Sequence, residues 1–104
     1  MTGSQLYYLV RSRTDGQYLV AKMREQGTNE GDRPTYILTF TDHADALSYL
    51  NTHAGELAER FAVEAIAPSQ LSKLMQRWGY TGIGMVKDPL IPEVEFLERQ
   101  TGLR

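Results

Sequence analysis

The sequence predicts an α+β fold: a single mixed or antiparallel sheet of about five strands, ordered β-β-β-α-β-α-β, with two helices packed on one face. Three features carry this expectation. Two aromatic and β-branched runs flank Asp15-Gly16, an apolar stripe at spacings of three and four runs from Ala44 to Ala54, and a second runs from Leu71 to Trp78. The 104 residues suit one domain, residues 1–104, and no internal repeat divides them.

The first strand is expected over Leu6–Arg11 (LYYLVR), whose side chains favour a pleated surface. Asp15-Gly16 follows, then the apolar run Tyr18–Met23. An Asp-Gly pair between two such runs signals a type I′ hairpin, because both central residues of that turn need positive φ. Residues Glu25–Pro34 (EQGTNEGDRP) carry no apolar side chain, contain two glycines and a proline, and form a long loop. Thr35–Phe40 (TYILTF) is the third strand.

Thr41-Asp42 offers a capping oxygen and negative charge where a helix begins. Ala44, Leu47, Leu50 and Ala54 form its apolar stripe, and Gly55 interrupts it before Leu57-Ala58. Phe61–Ile66 (FAVEAI) is the fourth strand. Pro68 suits the first turn of a second helix, Leu71, Leu74, Met75 and Trp78 its buried face, and Gly79 a left-handed stop. Gly82–Val86 (GIGMV) is the fifth strand, and Asp88-Pro89 turns the chain. The tail Glu93–Arg104 fits an edge strand or a helix opened by Pro92.

Composition removes several function classes. Hydrophobic residues at 41% and charged residues at 23% are globular proportions. Eleven cations against thirteen acids give a net charge of -2, which argues against a protein that coats nucleic acid or anionic membrane. Without cysteine there is no disulfide, thiolate metal site or Cys nucleophile. The apolar runs are far shorter than a bilayer span and no charged-then-apolar leader opens the chain, so a cytoplasmic protein is expected.

No constellation for catalysis emerges. His43 and His53 lie ten residues apart on one helix. That is about 15 Å of rise, too far for one ion to bridge. None of the serines at 4, 12, 48, 69 and 72 sits in a Gly-x-Ser-x-Gly elbow. The segment Gly79–Gly84 has the wrong order for a phosphate loop, a helix before it and a strand after. Its glycines suit a helix stop and close backbone packing. Trp78, at helical spacing from Leu71, Leu74 and Met75, is expected in the core. No cofactor, metal or enzymatic activity is implied.

The hairpin yields the one distinctive surface. A two-residue turn pairs Thr14 with Gln17, Arg11 with Val20 and Val10 with Ala21. One face then gathers Leu6, Tyr8, Val10, Leu19, Ala21 and Met23 as core. The other interleaves Tyr7, Leu9, Tyr18 and Val20 with Arg11, Arg13, Lys22 and Arg24, without an acid. Two accounts compete: cationic stems covering tyrosine rings on a solvated face, or a docking face for an acidic partner.

Two further stretches carry a family resemblance. Tyr36–Ala46 (YILTFTDHADA) is a strand ending in Phe-Thr-Asp before an alanine-rich helix, and Ile83–Pro89 (IGMVKDP) is an apolar strand ending in a polar residue and proline. Together they resemble the SseB-like domains, small α+β modules found in many bacteria. Position 88 is Asp where that family tends to show Asn. The resemblance implies a non-enzymatic interaction or adaptor module and brings no catalytic residues to carry over.

The expected function is therefore a small non-catalytic interaction module, serving as adaptor, regulator or assembly factor. It docks an acidic protein surface, or a second copy of the chain, through Tyr7, Arg11, Arg13, Tyr18, Lys22 and Arg24. Nucleic acid is disfavoured by the overall charge and membrane by the short apolar runs. The alternative is a small-molecule or nucleotide sensor with a pocket between the helices and Asp88–Pro92.

Overall fold

A computed structural model describes residues 5–22, 34–90 and 93–98. The chain is α+β. In order it forms β1 (Tyr7–Ser12), β2 (Val20–Lys22), β3 (Thr35–Thr39), α1 (His43–His53), a 3-10 helix (Gly55–Arg60), β4 (Phe61–Ile66), α2 (Pro68–Trp78), β5 (Gly82–Asp88) and β6 (Glu93–Glu98). The expected loop Glu25–Pro34 falls outside the described residues except at Pro34.

The strands form two sheets rather than one. β2-β3-β5-β6 make a four-stranded sheet in which β3 and β5 run parallel and the other neighbours antiparallel. β1 pairs antiparallel with β4, from Tyr7 opposite Ile66 to Ser12 opposite Phe61. Backbone bonds stitch the two sheets together. Tyr8 and Phe40 exchange N–H and C=O at 2.8 and 2.9 Å, the Leu19 N–H donates to the Val10 carbonyl at 2.9 Å, and the Leu38 N–H donates to that of Leu19 at 3.0 Å.

The chain reverses after β1 with a longer turn than Asp15-Gly16 predicts. Arg11 bridges Tyr18 instead of Val20, a shift of two residues. Within this turn Gly16 alone has positive φ, at 73°, whereas a type I′ turn requires it at Asp15 as well. Side chains hold the wider loop instead. The Thr14 N–H donates to Ser12 Oγ at 3.2 Å and the Gln17 N–H to Asp15 Oδ1 at 3.0 Å, while the Gly16 N–H reaches the Ser12 carbonyl at 3.0 Å. A shift of two residues preserves which side chains share a face, so Arg11 and Tyr18 remain neighbours.

The two helices lie on opposite faces, not on one. Leu9 and Val10 are adjacent in β1 and both fully buried, as expected only if each face of the strand is covered. Leu9 joins Tyr18, Ile37, Ile66 and Tyr80 under Leu71 of α2, with Leu74 and Met75 packed alongside. Val10 joins Leu38, Phe40 and Val86 under Ala46 and Leu50 of α1. The side expected to be open and cationic is therefore a second core. Leu47, on the stripe of α1, is 44% exposed instead of packed.

Terminal details follow local chemistry. Asp42 occupies the N-cap of α1 but makes no side-chain capping bond. Pro68 opens α2 and Gly79 ends it in the left-handed region at φ 75°. The tail forms an edge strand, β6, pinned against β5 because Gly82 and Gly84 leave room for it. A Cβ on Gly82 would meet the backbone of Leu97 and Glu98, and one on Gly84 would lie 3.1 Å from Val94 Cγ1. The stretches Tyr36–Ala46 and Ile83–Pro89 meet along the parallel β3–β5 pair, where Ile37 lies opposite Ile83.

Candidate functional site

A cleft of about 680 Å³ lies between α2 and the β1–β4 ribbon. Its floor is polar although it overlies a core. Arg11 on β1 donates through Nε to the Gly16 carbonyl at 3.0 Å and through Nη1 to Glu64 Oε2 at 3.3 Å. The other oxygen of that carboxylate accepts a 2.7 Å bond from Tyr18 Oη. The guanidinium also lies 4.9 Å from the centroid of the Tyr18 ring. One acid thus joins a cation and a phenol from three separated segments.

Burial in this arrangement acts on the phenol first. Loss of solvent, followed by the hydrogen bond and negative charge of Glu64, pushes the Tyr18 hydroxyl up to about 12, with Arg11 opposing. At neutral pH the Tyr18 hydroxyl keeps its proton and donates it in the hydrogen bond to Glu64. The Arg11–Glu64 pair, with side chains 41% and 43% exposed, adds under about 1 kcal/mol and mainly fixes geometry.

The wall of the cleft comes from α2. Lys73 and Arg77, four residues apart, stand on one helical face, as do Leu74 and Trp78. Lys73 and Arg77 have no ion-pair partner among the described residues. Trp78 is 37% exposed, so it stands at the rim and not in the core. Its ring meets Tyr18 edge-on at 5.5 Å, with Tyr80 at 5.9 Å. Three cations and one carboxylate line this site. Such a lining attracts anions, and its two aromatic rings offer apolar contact beside the charge.

The six residues expected to dock a partner separate in the structure. Arg11 and Tyr18 meet in the cleft. Lys22 is exposed in an adjoining hollow of about 350 Å³ that shares Tyr18 and Trp78 with it. Tyr7 packs half-buried against the core beneath α2. Arg13 turns away, donating through Nε to the Phe61 carbonyl at 3.2 Å and lining a different cleft of about 410 Å³ with His43 and Leu47. Arg24 lies outside the described residues.

Lys73, Arg77, Trp78 and Glu64 were absent from the expected site. The i, i+4 spacing of Lys73 with Arg77 and of Leu74 with Trp78 was visible in the sequence as a mixed cationic and apolar face. Nothing comparable marked Glu64, because its place opposite Leu9 depends on β1 pairing with β4.

The other expected site residues are differently placed. The expected pocket segment Asp88–Pro92 lies outside the described residues at positions 91 and 92. Asp88 Oδ1 there accepts the Leu90 N–H at 3.0 Å, and His53 Nε2 lies 2.9 Å from the Pro89 carbonyl. Among the described residues no three His, Asp or Glu side chains converge for a metal, and no helix is long and apolar enough to cross a membrane. No protein family, curated protein or solved structure matches the chain.

Proposed function

We propose that the chain is a non-catalytic binding module, an adaptor or assembly factor, that takes an acidic segment of a partner protein in the cleft beneath α2. The observation that supports this reading is the gathering of Arg11, Lys73 and Arg77 around the exposed ring of Trp78, with only Glu64 to offset them. On a chain of net charge -2, so local an excess of cations draws acidic partners to one place instead of to the whole surface. The resemblance of Tyr36–Ala46 and Ile83–Pro89 to SseB-like domains favours the same class, and a cytoplasmic setting belongs to that reading.

Trp78 is the single tryptophan and therefore reports on its own cleft. Titration with poly-L-glutamate should change its fluorescence, with poly-L-lysine as the control. Affinity should fall steeply with salt, as screening over a Debye length of about 8 Å at physiological ionic strength requires. Lys73→Glu combined with Arg77→Glu should weaken the response by about tenfold while the melting temperature stays close to wild type. An unchanged response in that double variant would remove the cleft from consideration.

A further inference from the structure

The cleft opens onto a strand edge that no other described strand pairs with. Among the described strands β4 has one neighbour, β1. The direction of its backbone groups follows from the stitching bonds. Tyr8, Val10 and Ser12 turn their backbone toward Phe40, Leu19 and Gln17. Tyr7, Leu9 and Arg11 therefore turn theirs toward β4, opposite Ile66, Glu64 and Ala62. By the same alternation, Val63 and Ala65 hold their N–H and C=O groups outward, on the free edge.

That edge lacks the devices that keep strands from pairing with other chains. β4 reads FAVEAI, without proline or lysine, and its one charge is turned onto Arg11 and Tyr18. The two other outer strands differ. β6 carries Glu93, Glu95 and Glu98, and β2 carries Lys22. Cations flank both ends of the open edge. Lys73 and Arg77 share a cleft with Glu64–Ile66, and Arg13, offset by Glu59, shares another with Phe61–Val63.

We infer that the acidic partner segment binds as an added strand along β4, its backbone pairing with Val63 and Ala65 and its carboxylates reaching the flanking cations. This rests on the reading of the α2 cleft as an acidic-segment site and specifies how the segment lies. Main-chain pairing supplies affinity in such additions, and the side chains beside the edge supply selectivity.

The test uses the full chain and a capped octapeptide alternating glutamate and valine, with the lysine–valine peptide as control. Residue-resolved amide exchange should slow by about tenfold or more at Val63 and Ala65 when the Glu–Val peptide saturates the protein. The control peptide should leave both amides unchanged. Lys73→Glu with Arg77→Glu should weaken binding by about tenfold, as lost charge complementarity predicts. Val63→Pro should eliminate binding, and the exchange experiment on the unaltered chain stands whether or not that variant folds. Trp78 fluorescence that responds to poly-L-glutamate, with no protection at Val63 and Ala65 by the peptide, would overturn the added strand and leave the cleft reading intact. Absence of both signals would defeat both. Protection without peptide in a protein that sediments as a dimer would assign the edge to a second copy and overturn the acidic-segment proposal.

Discussion

Tyr18 and Glu64, 46 residues apart in the chain, are joined by a 2.7 Å hydrogen bond from the phenol to Oε1. The bond crosses over Arg11, which holds the second carboxylate oxygen, so the reversal after β1 is locked to β4 through β1 between them. It also sets the floor of the α2 cleft. Tyr18→Phe keeps the ring packing and removes the donor. It should cost about 1–2 kcal/mol in chemical denaturation, as expected for a bond to a charged acceptor that water then partly replaces.

The raised phenol gives the protein an alkaline limit. Between the ordinary value of 10.0 and about 12, unfolded chains release the Tyr18 proton while folded ones hold it. Stability is thus complete below pH 10 and declines as pH rises toward 12. Burial also raises Tyr49 and Tyr80, which act in the same direction. Melting temperatures across this range should fall for the wild type and fall less steeply for Tyr18→Phe. Equal slopes would show that the phenol is not held protonated by the fold.

A core on both faces of the sheet has a thermodynamic signature. Leu50 packs beneath α1 and Leu71 beneath α2, in separate clusters. Leu50→Ala and Leu71→Ala should each destabilise by about 2–5 kcal/mol. Their effects should add to within about 0.5 kcal/mol, since the sites share no partner. Strong coupling in a double-mutant cycle would place both helices over one cluster.

Gly82 and Gly79 make different demands. A Cβ at Gly82 would lie 2.8 Å from Glu98 Cα and still closer to the Leu97 carbonyl, so Gly82→Ala should push β6 away and cost about 1–3 kcal/mol. Nothing crowds Gly79, where only the left-handed φ of 75° matters, and Gly79→Ala should cost about 1–2 kcal/mol. Amide exchange separates the two. Only the Gly82 variant should speed exchange along Val94–Leu97.

Most of the individual elements were legible from local chemistry. Pro68 and Gly79 bracket α2, the stripe Ala44, Leu47, Leu50 and Ala54 marks α1 although its buried side is Ala46 and Leu50 with Ala44 and Leu47 exposed, and FAVEAI is a strand in both readings. The order of these patterns likewise indicated the α+β class. Pairing was not legible. Asp15-Gly16 indicated that the chain reverses there, but the turn type depended on φ at Asp15 and on the Ser12 and Asp15 side-chain bonds, which shift the register by two. Nor could Leu9 and Val10, adjacent apolar residues, disclose that both faces are covered, because an alternating pattern with interspersed cations also describes a half-exposed strand. Long cationic stems fit either setting, since their carbons bury while their charges stay wet. Arg11, Lys73 and Arg77 became one site only when α2 packed across β1 and β4. Local conformation is set by neighbours along the chain, whereas this cleft consists of contacts between segments that only tertiary packing brings together.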